Sequence, residues 1–220
     1  MPAIRGVNLN RELASHPPKG ISAVHARFRL EALALVEAEN LVQASYSYRI
    51  VRLEEPAGET LRVGGETLHA PRLLPESGEL TALGCAACTL GPRLEARVTA
   101  LFGNRRAALA VVLDQVGNEI LSVLGRRLQD RMLSDCRRRR LTMAGELRAG
   151  DPGLDISAQA AVLRLAGAAN IGVCTHDAQL LYPLKSGSMI VGVGKDLPLV
   201  SWSRCDTCPS NHRCAFGCRQ

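Results

Sequence analysis

Four of the eight cysteines in this sequence lie within its last sixteen residues. They follow the pattern C-x2-C-x5-C-x3-C and are Cys205, Cys208, Cys214 and Cys218. Four thiolates are enough to complete a tetrahedral zinc site or to hold a 4Fe-4S cluster. The pattern therefore predicts a metal centre in a short C-terminal tail, residues 201–220.

The cellular compartment of the protein bears on what these cysteines hold. The first twenty residues contain no apolar run typical of a signal peptide, and no stretch of about 18 consecutive apolar residues occurs. We therefore expect a soluble, cytoplasmic protein that does not enter a membrane. Because the cytosol keeps thiols reduced, clustered cysteines there are metal ligands more often than disulfides.

The spacing of the tail cysteines favours iron over zinc. Zinc ribbons usually pair two C-x2-C units, whereas the irregular spacing here, with Pro209 after the second cysteine, resembles the auxiliary-cluster motif of SPASM domains in radical SAM enzymes. We expect a 4Fe-4S cluster, with zinc as the alternative. His212 lies inside the longest loop and is not needed once four thiolates are present.

A second cysteine pair, Cys85 and Cys88 in the sequence GCAACTLG, has the C-x2-C spacing of redox pairs and metal half-sites. Small residues and cysteine are also what fits a crowded turn between a strand and a helix. Ligand contact and plain packing both remain as interpretations of this pair.

Arginine supplies most of the net charge of +6, and its densest run is CRRRR at residues 136–140. Aromatic residues make up only 3% of the chain, too few for base stacking along a basic surface. We therefore expect no nucleic-acid partner. The run fits a solvated helix end, where the helix dipole favours cations, or a contact with an acidic partner.

The apolar pattern predicts the elements that must position these residues. Residues 21–44 and 106–133 read as long helices, and residues 46–55 and 59–70 as a strand and a hairpin that turns at Gly64-Gly65. In the second helix, apolar residues recur at helical spacing at Leu109, Leu113, Val116, Ile120, Leu124, Leu128 and Met132.

The remaining segments alternate between the two kinds of element. Residues 79–91 read as a short strand that runs into a small-residue turn, with a helix starting at Pro92. Residues 145–155 read as a loop, residues 156–167 as a helix capped by Asp155, and later short apolar runs as strands. Helices and strands are mixed without a regular βαβ repeat, so an α+β fold is predicted.

Three stretches of the chain resemble a known family. TLGPRLEARVTALF at 89–102, AVVLDQVGNEILSVLGRRL within the long central helix, and the segment 147–193 with its Ile171-Gly172-Val173 and Pro183-Leu184-Lys185-Ser186 motifs are similar to the activation domain of cobalamin-dependent methionine synthase. The resemblance is clearest over residues 83–193. It implies a body, residues 1–200, of mixed helices and a largely antiparallel sheet, followed by the Cys-rich tail.

The resemblance also implies a cofactor-binding region. In the family this domain binds S-adenosylmethionine and presents it to cob(II)alamin. The matching positions here, with the cysteine pair beside them, are Cys85, Cys88, Thr89, Gly91, Arg148, Gly150, Asp151, Lys185 and Ser186.

One departure counts against S-adenosylmethionine binding. The Arg-x-x-Pro-Gly loop of the family reads Glu146-Leu147-Arg148-Ala149-Gly150 here, so an acid stands where the arginine is expected. Arg148 is left as a candidate partner for the carboxylate of the ligand, because a guanidinium suits that group.

The sequence and the resemblance together predict an accessory protein of a corrinoid-dependent methyltransferase system. Its partner would be a corrinoid protein or a cobalamin-dependent methyltransferase. The tail cluster would relay an electron for the reductive activation of cob(II)alamin. The alternative is a non-catalytic module that binds the corrinoid or its protein and carries a structural zinc tail.

Overall fold

The computed structural model describes residues 22–176 and 179–198. In this part of the chain, helices and antiparallel strands are mixed, and the predicted α+β class is confirmed. The four tail cysteines lie outside the described residues, as does the N-terminal segment. The predicted boundary between body and tail therefore stays a prediction.

Within the described residues, eight strands and four α-helices follow one another. In chain order they are α1 (Ala23–Ala38), β1 (Ser45–Arg52), β2 (Thr60–Val63), β3 (Glu66–His69), β4 (Glu79–Thr89), α2 (Arg93–Gly103), α3 (Ala107–Arg138), β5 (Thr142–Leu147), α4 (Gln159–Ala166), β6 (Cys174–Thr175), β7 (Leu181–Tyr182) and β8 (Ser186–Lys195). Short 3-10 turns cover Pro71–Leu73, Ile156–Ala158 and Ala168–Ile171.

The main sheet has four strands in the order β1-β4-β8-β5, and every neighbouring pair is antiparallel. Its two longest strands, β4 and β8, lie in the centre. The small residues of β4 are therefore buried between neighbouring strands on both sides. Two hairpins, β2-β3 and β6-β7, pack outside this sheet. The first turns at Gly64-Gly65, as predicted.

One face of the sheet is covered by α1, α2 and α3. All seven apolar residues that were predicted to line one side of α3, from Leu109 to Met132, are 0% exposed. By length and apolar composition α3 would also suffice to cross a membrane. Half of its most apolar stretch is buried against the sheet and neighbouring helices, which is typical of a core helix.

The opposite face is covered by α4 and the β2-β3 hairpin. Val162 of α4 and Leu61 and Leu68 of the hairpin pack with Leu83 of β4 in a second apolar cluster. Asp155 is a cap, as predicted, but of the 3-10 turn Ile156–Ala158, and the α-helix expected from Ile156 begins only at Gln159. The Asp155 side chain accepts a hydrogen bond of 2.8 Å from the backbone N–H of Ser157.

Several predicted boundaries were wrong. The first helix ends at Ala38, because Asn40 adopts a left-handed conformation and the chain turns toward β1. The strand expected at Ile171 starts only at Cys174, since Ala168–Ile171 forms a 3-10 turn. The predicted loop at 145–155 begins later than expected, because Gly145–Leu147 belong to β5.

The arginine run lies at the end of α3, which extends to Arg138 rather than Leu133. Arg137 and Arg138 occupy its last turn, and all four arginines of the run are exposed. This position agrees with the solvated helix end that the sequence favoured.

Candidate functional site

Four of the predicted site residues meet where β4 ends and β8 begins. Thr89 and Ser186 face each other in the sheet register, and the Ser186 hydroxyl donates a 2.8 Å hydrogen bond to Thr89 Oγ1. The backbone N–H of Gly91 donates to the same oxygen at 3.0 Å, and the N–H of Leu90 donates to the carbonyl of Lys185 at 2.8 Å. The Thr-Leu-Gly turn is thereby fastened to the start of β8.

Gly91 is required at this turn by its backbone. Its φ of +77° is strained for residues with a side chain, and an added Cβ would come within 3.1 Å of Gln43. The backbone N–H of Gln43 also donates to the Leu90 carbonyl at 2.8 Å. The turn is therefore held from both sides by tight backbone contacts.

Lys185 points toward α3 and is almost fully buried. Its Nζ lies 2.7 Å from Asp114 Oδ1 and donates to Asn118 Oδ1 at 2.8 Å. An alanine at Gly117 would place its Cβ 2.9 Å from Leu94 Cδ2 and 3.3 Å from Lys185 Cε, so the glycine makes room for both side chains. The positive charge of Lys185 is thus neutralised within the protein, and its role in the described structure is to join β8 to α3.

This geometry predicts an asymmetric response to mutation. Asp114→Ala should lower the free energy of unfolding by about 1–3 kcal/mol, because a buried ammonium loses its counter-charge. Lys185→Met should cost much less, since Asp114 is 43% exposed and stays hydrated. Urea denaturation followed by circular dichroism measures both values.

The double variant Asp114→Ala/Lys185→Met supplies the control. It should recover most of the stability lost in Asp114→Ala, because no unpaired buried charge remains. Additive losses in the double variant would show that the two residues do not interact as described.

Arg148 lies beyond the end of β5, on the same side of the sheet as α3. Its Nε donates to Glu146 Oε1 at 2.9 Å, and Gln129 of α3 donates to the other oxygen of that carboxylate at 2.6 Å. Glu146, the residue that departs from the family pattern, therefore engages one edge of the guanidinium. In the described part of the chain no other side chain hydrogen bonds to the guanidinium of Arg148, so its terminal nitrogens are the part that a ligand could engage.

Gly150 and Asp151 shape the loop that follows Arg148. The Asp151 carboxylate accepts a 2.9 Å hydrogen bond from the backbone N–H of Arg148, and Gly150 has a φ of +93°. The N–H of Gly150 donates to the carbonyl of Leu154 at 2.9 Å. Both predicted residues therefore fix the path of the loop next to Arg148.

The structure separates the two members of the Cys85-x2-Cys88 motif. Both lie within β4, and a spacing of three in a strand puts side chains on opposite faces of the sheet. Cys85 packs in the cluster under α4, and Cys88 in the cluster under α3. The interpretation as a redox pair or a metal half-site is wrong for this reason, because the strand extends through the segment that was expected to turn.

Burial also keeps both thiols protonated. Desolvation raises the pKa of Cys85 to about 12 and that of Cys88 to about 11, the latter partly offset by the charge of Arg148 and a hydrogen bond from the backbone of Gly187. Both thiols therefore stay protonated at pH 8. Neither cysteine is suited to act as a nucleophile.

Thiol alkylation of the native protein tests this arrangement. With iodoacetamide at pH 8 and peptide mapping by mass spectrometry, Cys174, which is exposed, should react at least about 100-fold faster than Cys85, Cys88 or Cys136. In denaturant all four should react at similar rates. Equal labelling of Cys88 and Cys174 in the native protein would mean that the end of β4 is open to solvent.

Several polar residues of this region were not among the predicted site residues, although Gln159 belongs to the segment that carries the family resemblance. Gln159 at the start of α4 donates a 2.7 Å hydrogen bond to Ser188 of β8, and both side chains are 4% exposed. Asp114, Asn118 and Gln129 approach the sheet from α3. The sequence did contain a signal for these three residues, because they are polar residues in a helix whose apolar spacing predicts a core position. Asp114 and Asn118 are also four residues apart, which puts them on the same side of that helix.

Neither serine hydroxyl described at this end of the sheet is bonded to a base. The Ser186 hydroxyl bonds to another hydroxyl and the Ser188 hydroxyl to an amide, and neither of those partners is a base. Within residues 22–176 and 179–198, no three His, Cys, Asp or Glu side chains are grouped to hold a metal ion. A metal centre in this protein would therefore depend on the tail.

Comparison with known proteins identifies a similarity at the level of the fold. No family model matches the sequence, and no curated protein matches it. Among solved structures, the crystal structure of the MetH reactivation domain bound to AdoHcy superimposes with a TM-score of 0.61 and 11% sequence identity. The alignment covers 80% of this chain and 66% of that one, so the chain spans slightly less than two thirds of its neighbour.

This neighbour confirms the fold resemblance that the three sequence stretches indicated. The likeness of the tail to SPASM motifs remains a prediction from spacing.

Proposed function

We propose that this protein is an accessory component of a corrinoid-dependent methyltransferase system and takes part in the reductive activation of cob(II)alamin. The observation that carries the proposal is the fold, which is similar to that of the MetH reactivation domain. It gains support from the convergence of Thr89, Lys185 and Ser186 at one end of the sheet, with Arg148 alongside. These are positions that the resemblance marked for cofactor binding.

The reaction requires one electron and one methyl group. A low-potential donor of the ferredoxin or flavodoxin class supplies one electron, which reduces Co(II) of the corrinoid to Co(I). The methyl group of S-adenosylmethionine would then be transferred to the reduced corrinoid, and S-adenosylhomocysteine would be the leaving thioether. The products would be methylcobalamin and S-adenosylhomocysteine, and one electron would be consumed for each methyl group transferred.

The four tail thiols, Cys205, Cys208, Cys214 and Cys218, would hold the redox group. Four thiolates are the donor set of a 4Fe-4S cluster, which supplies one-electron transfer at low potential when bound. The body would supply the docking platform. Its buried thiols, with raised pKa values, take no part in electron transfer.

Arg148 is the residue through which the body would hold S-adenosylmethionine. Its terminal nitrogens form a fork suited to a carboxylate, while Glu146 and Gln129 fix its Nε edge. The carboxylate of Glu146 also lowers the local positive charge. We therefore expect S-adenosylmethionine to bind weakly. Arg148→Ala should abolish this binding and Glu146→Gln should strengthen it, as measured by equilibrium dialysis with labelled S-adenosylmethionine.

The first test is the metal content of the protein purified without oxygen. A bound cluster should give about four iron and four sulfide per chain and a broad visible absorbance. With a chemical reductant, free cob(II)alamin and S-adenosylmethionine, this protein should accelerate formation of methylcobalamin over the same mixture without it. Colourless protein with one zinc per chain would exclude the electron relay.

The alternative, a non-catalytic module with a zinc tail, is favoured by one observation. Every hydroxyl and thiol described at the end of the sheet is paired or buried, so the body has the character of a binding surface. Stoichiometric zinc together with retained binding of cob(II)alamin would establish this alternative.

A further inference from the structure

The first strand of the main sheet, β1, forms one of its two edges. A groove of about 560 Å³ runs beside it, lined by residues 48–52 and by Asp135 and Arg139 at the end of α3. An edge strand directs alternate backbone N–H and C=O groups away from the sheet, where another strand can pair with them. The groove thus follows a part of the backbone that is open to pairing.

The charge of this groove is positive. Three of its lining residues are arginines, Arg49, Arg52 and Arg139, and none of them has an acidic partner in the described part of the chain. The one acid in the lining, Asp135, is already engaged by the Tyr48 hydroxyl and by Arg138 and Arg131. The groove therefore offers three guanidinium groups that form no ion pair in the described part of the chain.

The two strand arginines lie on opposite faces of β1. They are three residues apart, and side chains of a strand alternate between its two faces. Arg49 packs over the turn at Gly167, since a Cβ added to that glycine would lie 3.0 Å from Arg49 Nη2. Arg52 is exposed near the end of the strand. An incoming strand would therefore meet a guanidinium above and another below its plane.

We propose that the β1 edge is a docking site for an extended acidic segment of a partner protein, which adds a fifth strand to the sheet. Backbone hydrogen bonds would supply affinity, and carboxylates three residues apart would pair with Arg49 and Arg52. Arg139 would accept a further acid from the side of α3. The location is the edge strand rather than the β4–β8 end of the sheet, so this docking does not depend on the proposed corrinoid function.

Charge decides between this occupant and two others. A second copy of the chain would bring arginine against arginine along the same edge, and like charges there oppose pairing. A nucleic acid would also be attracted, but it cannot pair with the backbone of a strand. The aromatic ring in the groove, Tyr48, has its hydroxyl bonded to Asp135 and stacks on Tyr46.

Fluorescence anisotropy with synthetic peptides tests the docking site. The probe is a labelled eight-residue peptide of Thr and Val with two Glu three positions apart. We expect it to bind the full chain at least about 10-fold more tightly than the same peptide with Gln at both positions, and binding should weaken as salt rises. A version N-methylated at alternate residues, which cannot form the backbone bonds, should lose binding.

Charge-reversal variants locate the site. Arg49→Glu/Arg52→Glu should weaken binding of the acidic peptide at least about 10-fold. The matched control, Arg93→Glu/Arg105→Glu, reverses two exposed arginines in α2 and the turn after it and should stay within about twofold. Circular dichroism of both variants verifies that the fold is retained.

Four results would overturn the proposal. These are no binding of the acidic peptide at about 1 mM, equal losses in the two double variants, unchanged binding of the N-methylated peptide, and stronger binding of a single-stranded oligonucleotide at the same residues. The last result would reassign the groove to nucleic acid.

Discussion

Replacing two tail cysteines, in Cys205→Ser/Cys208→Ser, should reduce the iron content from about four per chain to nearly none. A 4Fe-4S cluster needs four protein ligands, and two remaining thiolates do not retain it. The rate of methylcobalamin formation with reductant, cob(II)alamin and S-adenosylmethionine should then fall to that of the mixture without protein. Iron and sulfide analysis and the visible spectrum measure the first effect, and product formation measures the second.

The control for this prediction is Cys174→Ser. Cys174 is a free, exposed thiol of the body, so its loss should leave iron content and activity unchanged. Far-ultraviolet circular dichroism should be similar in both variants, because the apolar clusters that support the sheet are formed by residues 32–197. Full iron content in the double tail variant would exclude these cysteines as the ligands of a cluster.

A single methyl group added to β8 should destabilise the body strongly. In Gly194→Ala the new Cβ would lie 1.8 Å from the carbonyl oxygen of Glu79, a backbone atom that cannot move without opening the β4–β8 pairing. We expect a loss of about 3 kcal/mol or more, a large share of a typical folding free energy. In urea this corresponds to a midpoint lower by about 1–2 M, read by circular dichroism.

The same substitution at Gly103 provides the matched control. Gly103 ends α2, and an added Cβ there meets no atom within 4 Å. Gly103→Ala should be neutral or stabilise by about 0.5 kcal/mol, because alanine loses less backbone entropy in a helix than glycine. If the two variants melted alike, β4 and β8 would not approach as closely at Gly194 as the structure shows.

The irregular register explains why Gly194 is so constrained. The pairing of β4 with β8 shifts between Leu80 and Ala82, which brings the Glu79 carbonyl over Gly194. Nothing in the residues around Gly194 signals this shift, because the sequence there reads as an ordinary end of an apolar strand. The constraint arises from a partner more than a hundred positions earlier in the chain.

Local patterns determined the features that depend on neighbours in sequence. The apolar spacing of α3 placed all seven of its core residues correctly, because one turn of helix brings residues three and four apart to the same side. The hairpin at Gly64-Gly65 and the cap at Asp155 were likewise predictable from residues within a few positions. The number and spacing of the tail thiols are also a property of the sequence alone.

Only the tertiary structure decided how distant residues meet. The spacing of Cys85 and Cys88 left both ligand contact and packing open. The structure decides for packing, because β4 is a central strand of eleven residues whose alternation sends the two side chains to opposite faces. Lys185 pairs with Asp114, and Glu146 is held by Gln129, across 71 and 17 positions of the chain. The sequence carries no local signal for such pairs, because they depend on which helix covers which strand and in what register.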